Sequence, residues 1–216
     1  TVTLSVSPSS VTEDGSTNLV FTFTRTGVTT GAQTVNFDVS GTAAFGADYS
    51  QSGASTFSAT SGTVTIATSQ TIATVTVDPS AEASVETDET VALTVTAGTG
   101  YLLGSSVSDT GTILNDDVSL SITATSATKL EGDAGSTAFT FTVTRTGDTS
   151  GAASVDFAVT GSGANAADAD DFNGSLPSGT VSFLATEITQ TITINVNGDS
   201  TIELDEGFTL TLSSPS

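Results

Sequence analysis

The sequence predicts an all-β protein made of two tandem immunoglobulin-like β-sandwiches, and three observations carry that reading. The chain repeats itself once, its apolar residues alternate with period two, and no segment keeps a helical period. The repetition comes first. "FTFTRTG" at 21 to 27 returns as "FTVTRTG" at 141 to 147, an offset of 120 residues. "VETDETVALTV" at 85 to 95 returns as "IELDEGFTLTL" at 202 to 212, an offset of 117 residues. "TEDGST" at 12 to 17 reappears as "LEGDAGST" at 130 to 137, and "GTVTIATSQTIATVTV" at 62 to 77 as "GTVSFLATEITQTITINV" at 179 to 196. The seam lies at "NDDVSLSIT", so the expected domains are 1–117 and 118–216.

Along the first copy, strands are predicted at Leu19-Phe21-Phe23, Val35-Phe37-Val39, Val64-Ile66, Ala73-Val75-Val77 and Val91-Leu93-Val95. The second copy repeats them at Phe139-Phe141-Val143, Val155-Phe157-Val159, Val181-Phe183, Ile192-Ile194-Val196 and Phe208-Leu210-Leu212. The intervening residues are mostly Thr and Ser, which suit the solvated face of a strand. Arg25 and Arg145 share the inward parity of their strands and each precedes Thr-Gly. The expectation is an arginine snorkelling at the sandwich rim, paired with a nearby acid.

Composition limits function. The net charge is −21, from 24 acids against only Arg25, Lys129 and Arg145. A surface of that sign cannot gather nucleic-acid phosphates and disfavours anionic membranes. Its natural partners are cations. Cys, Met, Trp and His are absent, which removes thiol and imidazole chemistry, disulfides, and the usual ligands of zinc, copper and haem. A hydrolytic triad lacks its His or Cys, so no enzyme is expected. No run approaches the roughly 18 apolar residues of a membrane-spanning helix. The Thr, Ser, Gly, Ala and Val richness resembles an extracellular or cell-surface bacterial repeat protein. The opening Thr1 suggests a mature or excised piece of a larger one.

The acids are not scattered. If successive strands run alternately up and down, Glu13, Asp14, Asp48, Asp78, Glu82, Glu86, Asp88, Glu89, Asp116 and Asp117 finish at one end of the first sandwich. In the second, Glu131, Asp133, Asp168, Asp170, Asp171, Asp199, Glu203, Asp205 and Glu206 do the same. Like charges so gathered repel unless a cation sits among them. Ca²⁺, which takes roughly 6 to 8 oxygens, fits better than Mg²⁺, which retains more of its water. Acids that serve only solubility would be spread over both ends.

An acid in the turn at 12–17, "DY" or "DF" after the strands at Val35-Phe37-Val39 and Val155-Phe157-Val159, an "E-x-D-E" loop and a closing "NDD" make the chain resemble the Calx-beta family. These are the calcium-binding sandwich repeats of sodium/calcium exchangers and bacterial surface proteins. The resemblance implies calcium ligands in copy one at Glu13, Asp48, Glu82, the Ser84 carbonyl, Glu86, Glu89, Asp116 and Asp117. In copy two it implies Glu131, Asp171, Asp199, the Thr201 carbonyl, Glu203 and Glu206. Asn115 stands where a third aspartate occurs in the exchanger's high-affinity domain, which implies fewer or weaker ions in copy one.

Copy two stops at "LTLSSPS", so its sandwich is expected to lack its last strand and part of its calcium shell. A neighbouring repeat or another chain would supply them. The function implied is a calcium-stiffened structural module of an adhesin, fibre or stalk, with Ca²⁺ rigidifying the loops and the joint between repeats. The rival is a regulatory calcium sensor of a membrane transporter, which requires an affinity near micromolar or tighter.

Overall fold

The computed structural model describes all residues from Thr1 to Ser216, and the chain falls into two compact units, Thr1–Asp117 and Val118–Ser216. Both are all-β, as the period-two pattern requires.

In the first unit one sheet has the order β1 (Val2–Ser7), β3 (Leu19–Arg25), β8 (Ile72–Pro79), β5 (Tyr49–Ser52). The other has the order β2 (Ser10–Thr12), β10 (Ser108–Leu114), β9 (Glu89–Val95), β4 (Gln33–Gly41), β7 (Ser61–Ile66), β6 (Thr56–Phe57). Every pairing is antiparallel except that of β2 with β10, which is parallel. The alternation dictates the layers. Leu19, Phe21 and Phe23 are sealed inside while the intervening Val20 and Thr22 are only half-buried. Val35, Phe37, Val64, Val75, Val77 and Leu93 meet them in one core. Each such side chain contributes about 1.5–3 kcal/mol by leaving water, so the core, not the Thr-rich faces, holds the unit together. Tyr49 is fully buried beside Phe45 and Phe57. The Tyr101 hydroxyl donates to Thr96 O at 2.6 Å and accepts from Asn36 N at 3.1 Å. A Cβ at Gly111 would stand 2.6 Å from the Leu19 side chain, so β10 needs a glycine to close over β3.

The second unit has two sheets of three strands. One is β11 (Val118–Ala124), β12 (Ser136–Gly147), β15 (Thr189–Asn197); the other is β14 (Ser178–Phe183), β13 (Ala153–Ser162), β16 (Gly207–Ser213). A 3-10 turn at Asp170–Phe172 buries Phe172 in the core. As the sequence led us to expect, no strand occupies the place that β10 takes in the first unit. β9 is paired on both sides, by β10 and β4, whereas β16 is paired only by β13. The core registers the difference. Val2, Leu4 and Phe21 are sealed, but Leu120, Ile122 and Phe141 in matching positions are half-buried.

The two arginines depart from expectation. Arg25 and Arg145 are 6% and 3% exposed, and neither forms an ion pair. Arg25 donates from Nε to Gln70 O at 2.8 Å, from Nη1 to Gly31 O at 2.8 Å, and from Nη2 to Ala67 O and Thr29 O at 3.0 and 3.3 Å. Arg145 donates to Asp148 O at 3.0 Å and Gly151 O at 2.9 Å. The guanidinium fork supplies several donors to loop carbonyls at once. The side chain is therefore a pin through two loops and not a snorkelling rim charge. The Asp148 carboxylate is held below its usual range chiefly by hydrogen bonds from Ser150.

Candidate metal centre

In the first unit the site is assembled from loops that leave both sheets at one end. Glu13 directly follows β2, and its amide donates to Leu114 O of β10 at 3.0 Å. That bond fixes a glutamate only 6% exposed, with no hydrogen-bond donor to its carboxylate. Carboxylate oxygens of Glu13, Glu82 and Glu86 lie within 4.8 Å of one another. Glu86 is positioned by Asn115, whose Oδ1 accepts the Glu86 amide at 2.9 Å. The Asn115 amide in turn donates to Asp88 Oδ1 at 3.1 Å, and its Nδ2 to Asp117 O at 3.2 Å. Asn115 thus braces the site from three directions, the last of which an aspartate could not supply.

The remaining expected ligands extend this cluster. Asp48 sits just before β5, its Oδ2 accepting the Ala44 amide at 2.5 Å. Its carboxyl hydrogen-bonds Glu89, the first residue of β9. Asp116 Oδ1 accepts the Asp14 amide at 3.2 Å. Asp117 Oδ2 is buried and has no partner. Ser84 is exposed, and its side chain hydrogen-bonds Glu82.

Electrostatics point one way. Glu13 is pushed up to about 7, by burial first and then by Glu82, Glu86, Asp117 and Asp116. Glu89 also rises to about 7, through burial and the adjacent Asp48. Glu82 and Asp117 move upward as well, through lost solvation and neighbouring acids. Carboxylates driven up together are missing positive charge. Arg25 and Arg145 spend their donors on loop carbonyls, and Lys129 reaches Ala138 O over the Phe139 ring. A buried carboxylate without a donor and an orphaned carboxylate oxygen, facing other acids, fit a hard oxygen-seeking cation.

The second unit repeats the arrangement more loosely. Carboxylate oxygens of Glu131, Asp171 and Glu203 lie within 4.8 Å of one another. Glu203 rises through lost solvation and then Asp199, Glu131, Asp171 and Asp168. Glu206 rises for like reasons, with Asp171 hydrogen-bonded to it. Asp199 Oδ1 accepts the Thr201 amide at 2.6 Å, closing the tip of the loop. Asp168 joins the group as well: it turns its amide onto Asp171 Oδ2 at 2.7 Å and raises both glutamates. The ligand reading passed over it because "DF" drew attention to Asp171 alone, although Asp168 belongs to the same acidic end. Glu131 is half-buried and follows no strand; its carbonyl accepts from Thr137 Oγ1 at 2.6 Å.

Three of the acids assigned no ligand role have local ones. Asp109 Oδ2 accepts the Val6 amide at 2.8 Å, Asp148 closes a turn on Ser150, and Asp156 accepts from Thr180 Oγ1 at 2.6 Å.

Residues 114–216 match the model of the Calx-beta domain. No curated protein sequence matches the chain. Among solved structures, CBD12 from CALX1.2 is 17% identical over 98% of this chain and 80% of that chain, with a TM-score of 0.44. The calcium binding domain CBD12 of CALX1.1 gives the same values. The apo-form Calx CBD1 domain is 18% identical over 54% of this chain and 98% of that chain, with a TM-score of 0.41.

Proposed function

Since residues 114–216 match the model of the Calx-beta domain, we propose that this chain is a calcium-binding structural module, without catalytic activity, from an extracellular bacterial repeat protein of the adhesin, fibre or stalk kind. The observation that carries the reading is the cluster of Glu13, a residue only 6% exposed, with Glu82 and Glu86, their carboxylate oxygens within 4.8 Å of one another and no basic side chain among them. Bound Ca²⁺ would supply compact positive charge to roughly 6 to 8 oxygens, which the acids here cannot obtain from any basic side chain. In the first unit Glu13, Asp48, Glu82, Glu86, Glu89, Asp116, Asp117 and the Ser84 carbonyl would hold it. In the second the holders would be Glu131, Asp171, Asp199, Glu203, Glu206 and the Thr201 carbonyl, with Asp168 alongside.

The chain's own residues translate binding into stiffness. Glu13, Asp48 and Glu86 belong to three separate loops, and drawing their carboxylates together ties those loops to one another. Asp116 and Asp117 immediately precede Val118, where the second unit begins. Ordering them orders the covalent joint between repeats, and neighbouring repeats are the expected partners. The composition, rich in Thr and Ser and devoid of Cys and His, supports the extracellular setting.

The test is a thermal melt in EDTA followed by a Ca²⁺ titration, with Mg²⁺ as the control. A calcium-specific rise with a midpoint near roughly 10⁻⁴ to 10⁻³ M is expected of an extracellular module. A midpoint below about 10⁻⁶ M favours a regulatory sensor of a transporter. No shift, or an equal shift with Mg²⁺, removes the calcium reading.

A further inference from the structure

We infer that Asn115 is the positioning residue of the first unit's cation site, holding the loop that carries Glu82, Ser84 and Glu86 in its binding position before an ion arrives. The loop needs such a support. Residues 81–88 belong to no strand and every one of them is exposed, so no packed side chain fixes them. Hydrogen bonds to the rest of the unit are equally scarce. Ser80, at the near end, donates its amide to Asp48 O at 2.9 Å. From Ala81 to Asp88 the remaining bonds to the body of the unit both end on Asn115. Its Oδ1 accepts the Glu86 amide at 2.9 Å, and its own amide donates to Asp88 Oδ1 at 3.1 Å. One residue thus grips the loop at two points, and one of them is a proposed ligand.

Asn115 itself stands on a firm base. It directly follows β10, which is paired by β2 on one side and by β9 on the other. The residue before it, Leu114, supplies the carbonyl that fixes the Glu13 amide. Its third bond, from Nδ2 to Asp117 O at 3.2 Å, turns the chain beyond the strand back towards the same point. Glu13, the 81–88 loop and Asp117 therefore take their positions from two consecutive residues at one strand end. Ligands are held most accurately by such outer contacts on a regular element. The task suits an asparagine, because one side chain must accept from an amide and donate to a carbonyl. The consequence is kinetic. When only a fraction of molecules hold the loop in its binding position, the apparent affinity falls by that fraction while the bound state is unaltered. Loss of the support therefore slows association and leaves dissociation unchanged, whereas loss of a ligand speeds dissociation. The role towards the ion rests on the calcium reading; the grip on the loop does not.

The experiment compares the intact chain with its Asn115→Ala, Asn115→Asp and Glu86→Gln variants by NMR, where the amide signals of 81–88 separate the first unit from the second. In EDTA, Asn115→Ala should speed exchange of the Glu86 amide by about fivefold or more, one hydrogen bond's worth, while the strand amides at 91–95 stay protected. Asn115→Asp keeps the acceptor and should preserve that protection. Calcium titrations read at the same signals should show Asn115→Ala losing affinity by about fivefold or more, all of it in the association rate. Glu86→Gln should instead speed dissociation and leave the amide at 86 protected. Unchanged exchange of the Glu86 amide in Asn115→Ala overturns the proposal. So does faster calcium dissociation at an unchanged association rate, which would make Asn115 a ligand. If calcium moves none of these signals in the unaltered chain, the calcium reading fails and the role towards the ion fails with it. The exchange rates in EDTA then still decide whether Asn115 holds the loop.

Discussion

The two units carry the same acids in the same loop and differ in how firmly those acids are held. Glu82, Glu86 and Glu89 correspond to Asp199, Glu203 and Glu206 at a constant offset of 117 residues. Yet the first unit seals its Glu13 and pins it to β10, while the second leaves Glu131 half-buried after an unpaired stretch. The lesson is that loop sequence sets which carboxylates are available, and the strand behind the loop sets where they stand.

The contrast breaks most visibly in the core. Phe21→Ala should destabilise the first unit by about 3–5 kcal/mol, the range for a fully buried phenylalanine. Phe141→Ala should cost the second unit distinctly less, because its ring already meets solvent. Calorimetry resolving the two transitions checks this, and equal losses would mean that the edge beside β16 is covered in solution. Arg25→Leu comes next. It strips donors from four carbonyls of exposed or half-buried loop residues, which water partly replaces, so the first transition should lose about 1–3 kcal/mol in all. Arg145→Leu strips two and should lower the second transition by roughly half as much.

Calcium sharpens the comparison. At about a hundredfold excess over its dissociation constant a single ion adds about 2.7 kcal/mol to the unit that binds it. Glu13→Gln should abolish that gain in the first unit without weakening its metal-free fold at pH 8. Glu131→Gln should change the second transition less. A Glu13→Gln protein that still responds fully to calcium would place the ion elsewhere.

Acidity is a subtler lever. Glu13 and Glu89 rise from 4.5 to about 7 in the fold. A carboxyl raised by folding gives up its proton more readily when unfolded, so its destabilising effect is absent below pH 4.5 and grows as pH rises towards 7. Melts in EDTA should therefore fall between pH 5 and pH 8 in the first transition, and saturating calcium should flatten that slope. A rise over the same interval would contradict the crowding of acids around Glu13. The smallest effect expected is that of Asn115→Asp. Losing the bond to Asp117 O and adding a charge should lower metal-free stability by about 1 kcal/mol, and calcium should recover it.

Much of this architecture can be read from the residues, because a sandwich core imposes strict alternation and the duplication displays it twice. Leu19-Phe21-Phe23 and Val91-Leu93-Val95 announce β3 and β9 without ambiguity. β2, β5 and β6 do not announce themselves: segments such as Ser10–Thr12 and Tyr49–Ser52 are too short and too polar to carry a period. Their placement comes from neighbours, β2 through its parallel pairing with β10 and β5 through β8. The acids that gather at one end were evident from strand direction alone. The brace formed by Asn115 was not, since an asparagine between two loops looks like a weakened aspartate until its three hydrogen bonds are seen. Arg25 was misjudged for a related reason: an inward arginine suggests a partner acid, and its true partners are backbone carbonyls that sequence does not display.

The distribution of tyrosine has an optical consequence. The chain has no tryptophan, and its only tyrosines, Tyr49 and Tyr101, both belong to the first unit. Tyrosine absorption and emission therefore originate from one half of the molecule, and the other half contributes only the weaker, shorter-wavelength bands of phenylalanine. Tyr49 lies directly beside Asp48, its ring fully enclosed and its hydroxyl made a weaker acid by burial and then by that carboxylate. Light absorbed by tyrosine beside the carboxylate cluster gives the first unit an indicator that its twin lacks.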